Sequence, residues 1–216
     1  MDFWDKIKLD LSWYYIKNGV PVVPVGGKGK LLLLTIHRAL KSEAFHAVLL
    51  FRLCSYFHRK RIKILSFYYY NRIRRRYGST IAHTADIAGG LRLPHPYGVI
   101  IGGNVKIGAM TTIGQHVTLG GNFGKTKDNR TTPIIGSWCF ICAGTVIAGP
   151  VTVGDDVIIG ANSNVSKDVP DHVIAGGNPF VVSKVKEPGI EVERNKILYA
   201  KFYGYPEDVV NNLGIK

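Results

Sequence analysis

Aliphatic residues return at every sixth position along much of the second half of the chain. The residue after each is usually glycine or another small residue, and a small or β-branched residue follows four positions later. A period of six fits neither an α-helix nor a lone strand, so it indicates a repeated unit of one short strand and one turn. The aliphatic positions are Ile101, Ile107, Ile113, Leu119, Ile135, Ile141, Ile147, Val153, Ile159 and Val165.

This repeat predicts a chain that coils, with three units in each coil and a triangular cross-section. Each unit supplies one aliphatic and one small side chain to the interior, so stacked coils bury a continuous core. Cys139 occupies one of the small interior positions and is expected to be buried. A shifted run at Ile81, Ile87 and Leu93 places the start of the repeat near residue 80, with a slip of two residues before Ile101.

The repeat is interrupted twice, and interruptions of a regular fold are common places for function. The first is Pro94 to Gly98, which contains His95, and the second is the polar segment 122–133. Both are expected to protrude from the coil. Its flat sides are expected to bury against copies of the chain, which predicts a homotrimer with the two interruptions brought together in a cleft.

The first 78 residues follow a different pattern and carry most of the net charge. They contain 16 Lys and Arg against 4 Asp and Glu, whereas residues 79–216 contain 12 against 11. Within 42–76 the basic residues alternate with Leu, Ile, Phe and Tyr, which is typical of amphipathic helices. Two interpretations stay open: a helical cap with solvated arginines, or peripheral contact with an anionic membrane.

Several classes of protein are disfavoured by the rest of the chain. No known nucleic-acid-binding motif accompanies the basic residues, so no nucleic-acid partner is expected. The longest apolar runs fall well short of the roughly 18 residues that a membrane span needs, and the N-terminus lacks a signal-peptide pattern. The three cysteines, which have neither paired nor metal-type spacing, favour a reducing compartment. They are Cys54, Cys139 and Cys142.

Four segments resemble the hexapeptide-repeat acyltransferases: LRLPHPYGVIIG at 91–102, VTLGG at 117–121, ICAGTVIAG at 141–149 and VSKDVPDHVIAGGNP at 165–179. The likeness is greatest to serine acetyltransferases and to O-acetyltransferases of capsule and colanic-acid polysaccharides. It implies a mainly β fold, a left-handed parallel β-helix over 79–186, after a basic helical region at 1–78 and before a C-terminal tail with a short helix at 187–216. It also implies a bacterial cytoplasmic protein, and the membrane interpretation of 42–76 would place it at the inner face of the membrane.

The resemblance further implies an acyl-transfer site that uses acetyl-CoA and requires no metal. His95 matches the general base of these enzymes, a role that suits an imidazole. Gly120 and Gly121 are expected to offer backbone N–H groups to the thioester or the oxyanion, although a plain turn explains them equally well. The other expected donor-binding residues are Ala143, Ala161, Lys167, Asn178 and Pro179, and the expected acceptor-binding residues are Gln115 and Arg130.

Three positions depart from the serine enzymes. The acidic residues expected directly before His95 and fifteen residues upstream are Pro94 and Thr80, and an expected histidine in the loop is Thr132. These departures predict that the acceptor is a sugar hydroxyl of a surface-polysaccharide precursor, with serine as the alternative acceptor.

Two other classes of function remain as alternatives. Zinc-dependent hydration requires three converging histidines, and His83, His95 and His116 are available, although with a different spacing. The non-enzyme alternative is a β-helical scaffold or membrane-docking module.

Overall fold

The computed structural model describes residues 1–14, 16–17, 20–21, 24, 26–122 and 124–185. Four helices come first: α1 (Phe3–Ser12), α2 (Lys28–Lys41), α3 (Glu43–Arg59) and α4 (Lys63–Tyr77). Two short strands, β1 (Ile16–Lys17) and β2 (Val20–Pro21), pair antiparallel between α1 and α2. The helical region predicted before residue 79 is therefore present.

Local signals in the sequence set several helix ends. The Asp2 carboxylate accepts a hydrogen bond from the Asp5 N–H at 2.7 Å and caps α1. The Ser42 hydroxyl does the same for α3, accepting from the Phe45 N–H at 3.3 Å. Gly78 ends α4 in the left-handed conformation (φ 61°), which a residue without Cβ adopts at little cost.

Fourteen short strands follow within the described residues. They are β3 (Thr80–Ile81), β4 (Asp86–Ile87), β5 (Ile100–Ile101), β6 (Lys106–Ile107), β7 (Thr112–Ile113), β8 (Thr118–Gly120), β9 (Ile134–Ile135), β10 (Phe140–Ile141), β11 (Val146–Ala148), β12 (Thr152–Val153), β13 (Ile158–Ile159), β14 (Asn164–Val165), β15 (Val173–Gly176) and β16 (Val181–Val185).

The strands from β3 to β15 build three sheets, which the chain visits in turn. Face 1 consists of β3, β5, β8, β11 and β14; face 2 of β4, β6, β9 and β12; and face 3 of β7, β10, β13 and β15. Neighbouring strands within each face run parallel. One coil therefore contains one strand from each face, as the six-residue period predicts.

The interior contains the residues that the repeat predicts. All ten aliphatic positions from Ile101 to Val165 are at most 3% exposed, and Cys139 is fully buried. The predicted slip is also confirmed, because Ile101 pairs with Ile81, twenty residues earlier, but with Leu119, eighteen residues later.

The helical region and the coil share one hydrophobic core. Phe51 of α3 and Ile73 and Tyr77 of α4 belong to the same buried cluster as Ile81 and Ile101. The boundary predicted at residue 78 therefore separates helices from strands, but it does not separate two independent cores.

A buried ion pair joins the helices to the first coil. Arg52 donates from Nε to Asp10 Oδ2 at 2.8 Å and from Nη1 to the Ile87 carbonyl at 2.7 Å. Asp10 Oδ1 also accepts from the N–H groups of Gly90 and Leu91. The sequence left the arginines either solvated or facing lipid, and both interpretations are wrong for Arg52. Its guanidinium is buried and neutralises the carboxylate of Asp10.

The opposite end of the coil is closed by a change of direction. The strand β16 pairs antiparallel with β15. Residues 187–216, for which a tail with a short helix is predicted, lie outside the described part of the chain. No helix among the described residues is both long and apolar enough to cross a bilayer.

Candidate active site

The turns between faces stack into corners, and two corners carry the predicted site residues. The turns from face 3 to face 1 form the histidine corner, which begins with 94–98. The turns from face 1 to face 2 form the loop corner, which includes 121–133. Within one chain, the two interruptions of the repeat therefore lie at opposite edges of face 1.

His95 lies in an exposed turn at the start of the histidine corner. Ser79 holds this turn from inside: its hydroxyl donates to the Pro96 carbonyl at 2.6 Å and accepts from the Val99 N–H at 2.9 Å. The His95 ring has no hydrogen-bond partner among the residues that the structure describes. An accessible imidazole on a fixed backbone suits a general base, whose proton acceptor must be free for the substrate.

A carboxylate from the helical region reaches the same corner. The Tyr97 hydroxyl donates to Glu43 Oε2 at 2.5 Å, and Arg76 lies 3.5 Å from the same carboxylate. This hydrogen bond to Glu43 raises the pKa of the Tyr97 phenol, because a second negative charge beside the carboxylate is disfavoured. Sequence reasoning missed Glu43, although it is the single acidic residue between positions 28 and 76.

A second histidine stands one coil further along. The His116 N–H donates to the Tyr97 carbonyl at 3.0 Å. Its ring covers Gly98 (φ 66°), where an added Cβ would lie 2.3 Å from His116 Nδ1. Both the conformation and the close approach favour glycine there. Tyr97 and His116 therefore border the turn that carries His95.

The remaining turns of the histidine corner carry most of the expected donor-binding residues. Backbone hydrogen bonds connect these turns, from the Gly144 N–H to the Gln115 carbonyl and from the Asn162 N–H to the Ala143 carbonyl, both at 2.9 Å. The side chains of Ala143 and Ala161 end at Cβ and add little bulk. The row contains His95, Gln115, Ala143, Ala161, Asn178 and Pro179.

The predicted backbone donors lie at the other corner. Gly120 ends β8, and its carbonyl accepts from the Gly149 N–H at 2.9 Å. A Cβ on Gly120 would meet no atom within 4 Å, so packing within the chain does not require glycine there. The Gly121 N–H has no acceptor among the described residues. Both observations fit a ligand-facing turn as well as a plain one, so the role of these glycines stays a prediction.

The loop at this corner is tied to the wall of the coil. Arg130, expected to line the acceptor pocket, donates from Nη1 to the Val151 carbonyl at 3.1 Å and from Nη2 to Thr152 Oγ1 at 2.6 Å. Lys127 forms an ion pair with Asp168, and this contact lowers the pKa of that carboxyl. The structure thus gives Arg130 a role in anchoring the loop. Lys167 lies exposed beside the Lys127–Asp168 pair.

The three histidines considered for zinc do not converge. His83 lies at the loop corner, with its ring centroid 4.0 Å from that of His58, whereas His95 and His116 border the histidine corner. Within the described ranges, no three His, Cys, Asp or Glu side chains are placed to hold a metal ion. Within one chain, the three histidines therefore lie at two different corners.

The chain is similar to known acyltransferases in sequence. The family model "Bacterial transferase hexapeptide (six repeats)" matches residues 132–167. A serine acetyltransferase of Helicobacter pylori is 38% identical over 141 residues, which are 65% of this chain and 78% of that protein. Serine acetyltransferase 2 of Arabidopsis thaliana is 33% identical over 148 residues, and the chain spans only 45% of its length.

Solved structures agree with this similarity. The serine acetyltransferase of Neisseria gonorrhoeae in complex with serine matches with a TM-score of 0.66 and 26% identity, covering 84% of this chain and 69% of that one. A serine acetyltransferase in complex with CoA matches with a TM-score of 0.57 and 33% identity, covering 64% and 55%.

These relatives correct one prediction and confirm another. They are serine acetyltransferases, so the predicted sugar acceptor of surface-polysaccharide synthesis is wrong. The prediction of an acyltransferase is confirmed at the level of the family, and the predicted acetyl-CoA donor agrees with the CoA-bound relative. With its three parallel faces, its exposed His95 and these relatives, the chain belongs to the hexapeptide-repeat acyltransferases, among proteins named serine acetyltransferase.

Proposed function

We propose that the protein is a serine O-acetyltransferase that uses acetyl-CoA as its donor. The observation that carries the proposal is the exposed imidazole of His95, which has no hydrogen-bond partner among the described residues and lies in the turn where the family resemblance expects the base. The relatives named serine acetyltransferase supply the acceptor and donor classes. We also infer the left-handed sense of the coil from the family.

The chemistry assigned to His95 is proton transfer. Its imidazole takes the proton of the serine hydroxyl while the serine oxygen bonds to the acetyl carbon. The carbon–sulfur bond of the thioester then breaks, and the imidazolium returns the proton to the departing sulfur. The Gly121 N–H is proposed to stabilise the negative charge that develops on the acetyl oxygen.

The donor is proposed to lie along the histidine corner. The short side chains of Ala143 and Ala161 leave room for an extended pantetheine arm, and Asn178 and Pro179 lie at the far end of the same row. The exposed cation of Lys167 suits a phosphate group, but it lies at the loop corner of the same chain. A neighbouring subunit would bring that corner to the histidine corner, and we therefore propose that a homotrimer completes the site.

The acceptor side differs from the serine enzymes at Pro94, Thr80 and Thr132. We propose that Glu43, held by Tyr97 two residues after His95, supplies the negative charge for the ammonium group of serine. Glu43→Gln is expected to raise the KM for serine roughly tenfold or more, because hydrogen bonds to charged groups contribute about 1.5–3 kcal/mol. The affinity for acetyl-CoA should not change. Asp86→Asn, an exposed acid on face 2, is the matched control.

The proposed function is tested by thiol release from acetyl-CoA with L-serine, with nucleotide sugars and other hydroxyl compounds as comparison acceptors. Serine-dependent release of CoA, with O-acetylserine identified by mass spectrometry, is the expected result. If CoA is released with none of the acceptors and calorimetry detects no binding of CoA, the scaffold alternative would be favoured. Release only with another hydroxyl compound would overturn the serine assignment and leave the acetyltransferase assignment standing.

A further inference from the structure

The helix α4 buries very little of its surface. Of its fifteen residues, only Ser66, Ile73 and Tyr77 are buried. Ile64 is 84% exposed and Phe67 67% exposed, with Tyr68 at 53%. Exposed single apolar residues are common in proteins, but three large ones within five positions of one helix need a reason.

These three side chains lie on one side of the helix. Positions i, i+3 and i+4 are neighbours on a helix surface, so Ile64, Phe67 and Tyr68 form a continuous apolar patch, here called the α4 patch. The buried residues of α4 occupy other positions and pack against α3 and the first coil. The α4 patch therefore faces away from the rest of the described chain.

The charge around the α4 patch has one sign. Residues 59–76 contain eight Lys and Arg and no Asp or Glu, and all eight basic side chains are exposed. Within the described residues, only Arg76 is paired with an acid, Glu43 at 3.5 Å. An exposed apolar patch on a helix that also carries several exposed basic residues is typical of a surface that lies on anionic lipid.

A groove beside the patch continues the same chemistry. It has a volume of about 430 Å³ and lies where α3 and α4 meet the first coil. Lys63, His58 and His83 line it together with two aromatic residues, Phe67 and Tyr70. Phe67 belongs to both the groove and the α4 patch, and Lys63 places a positive charge in the groove lining.

We propose that α4 docks on an anionic membrane surface, with the α4 patch inserted at the headgroup boundary and the basic residues of 59–76 over the acidic lipids. A second copy of the chain would set eight further positive charges against the first eight, which opposes self-association through this face. Nucleic acid would use the charges but would not account for Ile64 and Phe67. The proposal is independent of the proposed function.

The test is co-sedimentation of the full chain with vesicles of phosphatidylcholine alone and with 30% phosphatidylglycerol, a composition chosen to give a strong negative surface. Binding is expected only to the phosphatidylglycerol vesicles. Each positive charge removed near the surface is expected to lower the partition coefficient about fivefold. The double variant Arg74→Gln with Arg75→Gln is therefore expected to lower it roughly 30-fold. Ile64→Ser with Phe67→Ser is expected to lower it roughly tenfold or more.

Matched controls separate the patch from general effects of charge and hydrophobicity. Lys106→Gln with Lys125→Gln removes two exposed charges elsewhere, and Val181→Ser removes an exposed apolar residue on β16. Both should bind like the parent chain, and all variants should keep the parent circular dichroism. No binding by the folded parent, equal loss in the controls, or a gel shift with DNA without vesicle binding would overturn the proposal. A smaller oligomer for Ile64→Ser with Phe67→Ser by light scattering would identify a second copy as the occupant and also overturn it.

Discussion

His95 is the side chain to which the proposed reaction assigns proton transfer. His95→Ala is expected to lower kcat roughly 10²–10⁴-fold, the usual contribution of a positioned general base. Binding of acetyl-CoA should not change, because the imidazole meets the acceptor hydroxyl. His95→Asn should be equally slow, since an amide cannot accept the proton. Stopped-flow rates and calorimetry measure the two effects separately, and a near-native kcat would move the role to another group, with His116 the first to examine.

His46 links the stability of the helical region to pH. Its Nδ1 lies 2.6 Å from the Tyr77 hydroxyl, and its pKa is lowered by burial and then by the charges of Arg76 and Arg72. The unfolded chain therefore binds a proton at higher pH than the folded chain, so this contribution to stability is present above about pH 6.5 and is lost as the pH falls towards the folded pKa.

The free energy of unfolding is therefore expected to fall between pH 7.5 and 5.5, and His46→Gln should reduce the slope while keeping an acceptor for Tyr77. Urea titrations at both pH values measure this. His83, whose pKa is also lowered by burial, contributes in the same direction, so a residual slope is expected in the variant. His37→Gln, on the exposed side of α2, is the control, and an equal change of slope in both variants would refute the role of His46.

At the scale of elements, the pair of Arg52 and Asp10 holds α1 and α3 on the first coil. Both side chains are almost fully buried, so removing one partner leaves an uncompensated charge. Arg52→Met is expected to lower the free energy of unfolding by about 3–5 kcal/mol. Arg74→Met, at an exposed position of α4, should change it by less than about 0.5 kcal/mol. Chemical unfolding compares them, and an equal effect would contradict the structural role of the pair.

The coil was predictable from sequence because its signal is local. A six-residue period, a two-residue slip and a polar insertion each appear in short stretches, and Ile101, Leu119 and Ile147 are buried where that period places them. The docking of the helices was not predictable in this way. Arg52 and Asp10 are 42 residues apart, and an arginine in an amphipathic helix has the same local pattern whether it is solvated or paired inside.

Some residues of the candidate site could also be found from the sequence, and others could not. His95 could be found because its turn interrupts the repeat and carries a family motif. Glu43 could not be placed beside Tyr97, because their contact joins residues 54 positions apart. The resemblance implied a role for Arg130 in acceptor binding, but its hydrogen bonds to Val151 and Thr152 depend on how the loop folds back.

At the scale of the whole molecule, the two corners predict that active sites form between subunits. Two inactive variants should then complement each other: His95→Ala, and a chain in which 124–131 is replaced by glycine. Random mixing into trimers leaves about a quarter of the sites with both corners intact, so co-expression should restore about a quarter of the parent activity. Activity of tagged mixed trimers measures this.

Mixing the two purified variants without subunit exchange is the control and should restore nothing. Absence of complementation in confirmed mixed trimers would mean that each site is contained in one chain. If the loop variant is active by itself, the loop corner does not contribute to the active site.

The side chains that hydrogen-bond to the first coil affect whether copies of the chain can polymerise end to end. A stack of parallel coils is a template to which another copy could add, because its end strands offer open backbone groups. Here the Ile87 carbonyl already accepts hydrogen bonds from Lys6 and Arg52, and Asp10 accepts from the Gly90 and Leu91 N–H groups. At the other end β15 is covered by an antiparallel strand. These contacts oppose end-to-end addition at the first coil and at face 3 of the last coil, so copies of the chain are expected to associate side by side instead.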